Sequence, residues 1–207
     1  MTERTVPEAA AAILLAGGRG SRMGGAVKPL LELDGQSLLH RAIDAVSGCS
    51  PVTIAAEVLD ETVIGVDWVR EQPPFSGPAA AVVAVLGAWR ARDEKPGWAL
   101  LLACDLPHPD VAVASLTAAS AEPGAPRDGW CLVDAEGRPQ WLAGLYRTAA
   151  LHEAAATLPD AGRDASLRAL LGGLAIERVP ATAAAVADID TWNDLEQARS
   201  RVTEEKP

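Results

Sequence analysis

Between one apolar run and the next, the stretch LAGGRGSRMGGAVKPLLELDG (15–35) gathers Gly17, Gly18 and Gly20 with Arg19, Arg22 and Lys28. These residue types suit a ligand that is flat, anionic or both. Glycine has no Cβ, so Gly17 and Gly18 let the backbone approach a planar or phosphorylated group, and Gly20 tolerates positive φ. Arg22 offers a planar fork of donors and Lys28 a point charge, and the two together can neutralise a triphosphate. Either one alone would more simply be a solvated surface charge. Two familiar phosphate motifs fail here. GxxxxGK[ST] is broken because Lys28 stands three residues after Gly25 and precedes Pro29, and GxGxxG is broken because Met23 holds the third glycine position.

Other reactive side chains narrow the class by what they do not form. Cys49, Cys104 and Cys131 are odd in number, far apart and without a CxxC pair, so neither a disulfide framework nor a zinc site is expected and a reducing compartment fits. Cys104 reads as a packing residue, and His40, His108 and His152 have no metal-ligand spacing. The formal charge of −10 over 207 residues argues against a general nucleic-acid binder, so an anionic ligand needs a local cationic site. With 49% hydrophobic and 22% charged residues the chain is expected to be a soluble globular protein. No apolar run approaches the ~18 residues of a membrane span. The N-terminal MTERTVPEAA lacks a signal-like apolar core, so a cytoplasmic location without a membrane partner is expected.

The elements that must position these residues alternate. Strand character is expected over 11–16, 52–58 and 98–103, with a weaker strand over 65–71, and helices over 36–46, 79–89 and 111–120. Beyond the Pro/Gly-rich loop 122–129, residues 130–147 read as two strands around a turn at Glu136-Gly137. Helices near 148–157 and 164–171, a strand over 175–179 and a last helix over 193–201 complete the pattern, with 28–35 as a short extended piece. Such alternation implies a layered α/β fold with a mostly parallel sheet in one domain, 10–202, between tails at 1–9 and 203–207. Ligands of these sheets bind beyond the carboxyl ends of strands, which singles out the loops after residues 16 and 103.

At this point the sequence resembles a family. Residues 15–35 are similar to the LAxGxGxRMG…K signature of nucleotidyltransferases with the glycosyltransferase-A-like fold, and the LAGG form resembles the molybdenum cofactor guanylyltransferases, the MobA type. The resemblance implies a three-layer α/β/α, Rossmann-like fold. It implies that Leu15, Ala16, Gly17 and Gly18 meet the nucleotide base, with Arg22 and Lys28 on the triphosphate as the catalytic cations. CDLP (104–107) resembles the family's metal-binding strand end, so Asp105 would hold Mg²⁺, a cation that prefers a few hard oxygen ligands. In VADIDTWNDLEQAR (186–199), Asp190, in preference to Asp188, would be the second metal ligand, the alternative reading of the segment being a helix cap at Thr191 or Asn193. In REQPPFSGPAAAV (70–82), Glu71 could accept from guanine N1 and N2, the alternative being a solvated strand-end glutamate, and Gly77-Pro78 match the family segment.

RPQWLAGLYR (138–147) and RDASLRALL (163–171) resemble acceptor-side segments, so Arg147, Arg163 and Arg168 are candidates to meet a phosphorylated acceptor. Departures stand at Val27, where the family has an aspartate, at Ala81 for a glycine, and at IAAEV (54–58) and Asp188 and Asp190 for asparagines. The implied activity is Mg²⁺-dependent transfer of GMP from GTP to molybdopterin with release of pyrophosphate. The alternatives are another NTP, such as CTP, another phosphorylated acceptor, such as a sugar phosphate, or a nucleotide-binding relative without turnover.

Overall fold

The computed structural model describes residues 10–18, 23–122 and 127–204. Arg19, Gly20, Ser21 and Arg22, with the N-terminal tail 1–9, lie outside the described residues. The first strand, β1 (Ala10–Leu15), is apolar on both faces, as a strand covered on two sides must be. Ala10, Ala12 and Leu14 enter one hydrophobic core, and Ala11 and Ile13 enter another on the opposite face. That period of two places a helical layer on each side of the sheet.

After β1 the chain makes a 3-10 turn at Lys28–Leu30, with Pro29 pre-setting its backbone, in place of the expected extended piece. The small hairpin β2 (Glu32–Leu33) and β3 (Gln36–Ser37) leads into α1 (Leu38–Ala45), whose first turn is capped by the Ser37 hydroxyl accepting from the His40 N–H. That cap starts the helix two residues later than the apolar spacing suggested. Next come β4 (Val52–Ala55), β5 (Asp67–Val69), α2 (Pro78–Ala91), β6 (Trp98–Ala103) and α3 (Pro109–Ser120). β7 (Gly129–Val133), β8 (Pro139–Arg147), α4 (Thr148–Thr157), α5 (Leu167–Leu171), β9 (Ile176–Pro180), α6 (Ala183–Val186) and α7 (Trp192–Glu204) complete the chain.

The seven-stranded sheet has the order β5-β4-β1-β6-β8-β7-β9, and β8 alone is antiparallel to its neighbours. Helices α1, α3 and α6 cover one face, with Leu39, Leu116 and Ala185 in that core, and α2, α4 and α5 cover the other through Trp89, Leu151 and Leu170. The fold is therefore the expected three-layer α/β/α arrangement around a mostly parallel sheet. β1 and β6 are adjacent and end in step, Leu15 opposite Ala103, so the glycine loop and Asp105 leave the sheet side by side. The Cys104 N–H donates to the Leu15 carbonyl at 3.0 Å and ties the two exits together.

A third, smaller core fixes the segments that complete this edge. Met23 and Leu33 pack with Leu38, Ile189, Leu195 and Ala198, joining the far side of the glycine loop to the start of α7. All three cysteines are buried thiols without a disulfide; burial pushes Cys49 and Cys131 up to about 11 and Cys104 higher still. Cys104 is thus a packing residue, as expected. Among the described residues no helix is long and apolar enough to cross a membrane.

Candidate functional site

Residues 188–190 read Asp-Ile-Asp, and alternation decides what each does. Ile189 is buried in the third core and its N–H donates to the Asp105 carbonyl at 3.0 Å. With the isoleucine anchored inward, both flanking aspartates project toward Asp105. One oxygen from each of Asp105, Asp188 and Asp190 falls within 4.8 Å of the other two. Lys28 joins them from the glycine loop: its Nζ lies 2.5 Å from Asp190 Oδ1 and 3.7 Å from Asp105 Oδ2.

This geometry joins residues 162 positions apart in sequence. The start of α7 holds Asp190 in place by a reciprocal cap. The Thr191 hydroxyl accepts the Asp194 N–H, while the Asp194 carboxylate accepts from the Asp190 N–H, the Thr191 N–H and the Thr191 hydroxyl. Thr191 is thus the cap, and the capping role of that segment and its carboxylate facing Asp105 fall on different residues. The Asp194 carboxyl, held by these bonds, sits below the usual carboxylate value.

Burial pushes the Asp105 carboxyl above its usual 3.8; Lys28 opposes that rise, and Asp188 and then Asp190 add to it. Three carboxylates around one ammonium, among the described residues, suit a hard divalent cation: the donors are all oxygen and their mutual repulsion is relieved by a positive ion.

Asp105 and Asp188 line a cleft of about 590 Å³ at the carboxyl edge of the sheet, and Lys28 and Asp190 stand behind them without lining it. Leu15, Ala16, Gly17 and Gly18 line it, as do Glu71, Gly77 and Asp105, so these seven expected residues are brought together. Gly77 enters α2 at φ +95°, a conformation L side chains rarely adopt, and a Cβ there would sit 3.6 Å from the Ala165 carbonyl. Val27, 45% exposed, lines the cleft where the family pattern has an acid. The expected contribution of Arg22 lies outside the described residues.

Glu71 lines the cleft, but its Oε1 accepts the Phe75 N–H at 2.8 Å, so part of its acceptor capacity closes the turn 71–75. The neighbouring wall was not foreseen. Arg70 pairs with Glu57 at 2.5 Å and its guanidinium lies 5.1 Å from the centre of the half-exposed Phe75 ring. The only hint was an aromatic residue between prolines in QPPFSGP, a segment without periodicity. Arg147 is corrected outright: β8 is antiparallel, so Arg147 lies opposite Trp98 at the other edge of the sheet. Arg163 and Arg168 are exposed and do not line the cleft.

Comparison with known proteins identifies relatives in sequence and in fold. The family described as MobA-like NTP transferase domain matches residues 12–179. A molybdenum cofactor guanylyltransferase of Pseudomonas putida is 35% identical over 106 residues, covering 47% of this chain and 51% of that protein, so the match spans about half of that relative's length. A probable molybdenum cofactor guanylyltransferase of Synechococcus elongatus is 33% identical over 177 residues, 82% of this chain and 87% of that protein. Among solved structures, molybdopterin-guanine dinucleotide biosynthesis protein A from Archaeoglobus fulgidus superposes with a TM-score of 0.68 at 18% identity, covering 94% of this chain and 99% of that one, a likeness of fold.

Proposed function

This chain belongs to the MobA-like NTP transferase family, and from that premise we propose that it transfers GMP from GTP to molybdopterin, releasing pyrophosphate. The observation that carries the reading is the meeting of the LAGG strand end and Asp105 in one cleft, with the Lys28 ammonium 3.7 Å from Asp105. An acceptor phosphate is already a nucleophile at neutral pH, so it can attack the α-phosphorus in line without a covalent enzyme intermediate. The protein then needs only to position two ligands and stabilise charge.

Gly17 and Gly18 admit the base and ribose to the backbone of the β1 exit, and Glu71 faces the base edge from the wall. Arg22 and Lys28 hold the triphosphate, Lys28 from its place beside Asp105. Mg²⁺, when bound, supplies positive charge to the phosphate oxygens. Asp105 and Asp190 would hold it, with Asp188 available as a third oxygen donor. Asp190 also pairs with Lys28, so the same carboxylate would serve both the ammonium and the ion.

A second reading keeps the chemistry and changes the base to cytosine or the acceptor to another phosphate. Two observations favour keeping it: Glu71 is partly engaged by the Phe75 N–H, and the family's asparagine-bearing strand end is replaced by IAAEV. The test is a thermal-shift panel of GTP, CTP, UTP and ATP with Mg²⁺, followed by pyrophosphate release with molybdopterin. GTP is expected to give the largest shift and to support release. A larger shift with CTP overturns the guanine assignment, and binding without release for any NTP overturns the enzyme reading.

A further inference from the structure

The cleft has two wings on either side of Asp105. The glycine loop, Arg70, Glu71 and Phe75 form the wing over β4 and β5, and the first residues of β8 form the other, beyond β6. The nucleotide accounts for the first wing. The second carries Gln140, Trp141 and Leu142, and three features of the chain fix the position of Trp141.

First, the pairing of β7 with β8 is irregular: Cys131 lies opposite Gly144, but the next residue, Leu132, lies opposite Gln140, so residues 141–143 bulge with no counterpart on β7. Second, Ala143 pairs with Leu102 near the end of β6, which leaves Trp141 projecting beyond that strand at the cleft edge. Third, the fully buried Tyr146 donates its hydroxyl to the Trp141 carbonyl at 2.9 Å. The Tyr146 ring folds back over Gly144, where a Cβ would stand 2.3 Å from the phenolic oxygen. A core phenol without a partner is costly, and this one finds its partner in the bulged backbone. Trp141 packs on the core beneath α2 and remains partly exposed at the cleft.

We infer that Trp141 is the stacking platform for a planar nitrogen heterocycle of the acceptor, and that Gly144 and Tyr146 are positioning residues that hold it at the bulge. The inference rests on the nucleotidyl-transfer reading for placing the NTP on the opposite wing. An indole presents a large π-face that stacks on any flat heterocycle whatever its hydrogen-bonding edge. A platform of this kind selects acceptors by shape, and favours a pterin-like ring over a saturated sugar or polyol phosphate.

The test titrates the full-length protein, with GTP and Mg²⁺ present, with oxidised biopterin as the planar probe and glycerol phosphate as the non-planar one; GTP binding is measured separately. Trp141→Ala is expected to weaken biopterin binding by about tenfold or more while GTP binding is unchanged, and Trp141→Phe to recover most of the loss. Tyr146→Phe, which keeps the ring and removes the hydroxyl, is expected to weaken biopterin severalfold and leave GTP binding alone. Glycerol phosphate should respond to neither change. No biopterin binding to the unaltered protein, or undiminished binding to Trp141→Ala, overturns the platform. So does an equal loss for GTP and biopterin, which marks a purely structural residue. Absence of GTP binding by the unaltered protein instead overturns the guanine assignment, absence of binding by GTP, CTP, UTP and ATP alike overturns the nucleotidyl-transfer reading, and biopterin titrated alone still decides the role of Trp141.

Discussion

The two edges of the sheet treat charge in opposite ways. At the amino edge, Trp98 and Trp130 lie 5.2 Å apart, with the guanidinium of Arg147 4.5 Å from the first ring and that of Arg127 5.3 Å from the second. Arg127 pairs with Glu177, Arg147 Nε donates to the Arg127 carbonyl at 2.8 Å, and Asp128 accepts the Ala175 N–H. Every one of these charges has a ring, a backbone group or an opposite charge against it. At the carboxyl edge, three carboxylates gather at Lys28. Concentrated like charge costs stability, and a protein retains it where a ligand supplies the missing counter-charge. The contrast teaches where to look: the same sheet ends in an edge whose charges are matched one by one and in an edge where like charge is concentrated.

Removing the ammonium should deepen the contrast most. Lys28→Ala is expected to lower turnover by on the order of 10²- to 10³-fold, the usual cost of losing one preorganised charge-stabilising group. It also leaves Asp105, Asp188 and Asp190 without the ammonium that adjoins two of them, so the thermal midpoint should fall in metal-free buffer and rise more steeply with added Mg²⁺ than in the unaltered protein. Steady-state pyrophosphate release and thermal melts with and without Mg²⁺ check the two parts separately. Unaltered turnover removes Lys28 from the chemistry.

Reducing the negative charge should soften the contrast. Burial raises the Asp105 carboxyl above its usual value of 3.8, so the folded protein binds that proton more tightly than the unfolded chain does. The favourable contribution of the protonated group is therefore complete below the usual carboxylate value. It is lost as pH rises through the raised value, above which ionised Asp105 is a net cost to folding. Asp105→Asn should accordingly raise the melting temperature of the metal-free protein at neutral pH, and the gain should fade as the solution is acidified through that window. The same variant should lose the enhancement of nucleotide binding by Mg²⁺. Melts across an acid-to-neutral series and nucleotide titrations with and without Mg²⁺ measure both effects. A variant that responds to Mg²⁺ like the unaltered protein contradicts the metal role of Asp105.

The layered fold and the centre of the site were legible in the chain because both follow from local patterns. Runs such as AAILLA and WALLLA read as strands buried on two faces, and in a parallel sheet their ends must lie together, which brings Gly17 beside Asp105. The approach of Lys28 to Asp190 was not legible by spacing, because the packing of Met23 and Leu33 on Ile189 and Leu195 creates it. RPQWLAGLYR was legible as an acceptor-side segment, but the placement of Trp141 within it was not, for a related reason: a bulge exists only as a mismatch between two strands, and neither β7 nor β8 shows it alone. Arg147 was misplaced because residues at the two ends of one antiparallel strand serve opposite edges of the sheet, and composition does not reveal strand direction.

The smallest effect belongs to the charge-matched edge, and it tests whether the comparison is real. Arg147 stacks on Trp98 and donates to the Arg127 carbonyl, well away from the cleft. An exposed cation–π contact contributes about 0.5–1 kcal/mol, which for a chain of this size corresponds to a melting shift of roughly 1–4 °C. Arg147→Ala should therefore lower the melting temperature by that little and leave turnover, the GTP preference and the Mg²⁺ response unchanged. The loss should also persist at high salt better than that of an exposed ion pair, because much of it is ring contact and not long-range charge. If Arg147→Ala instead raises the KM for the acceptor while the melting temperature holds, the residue serves the acceptor after all. The two edges of the sheet would then be coupled in function, where the structure shows them balanced separately.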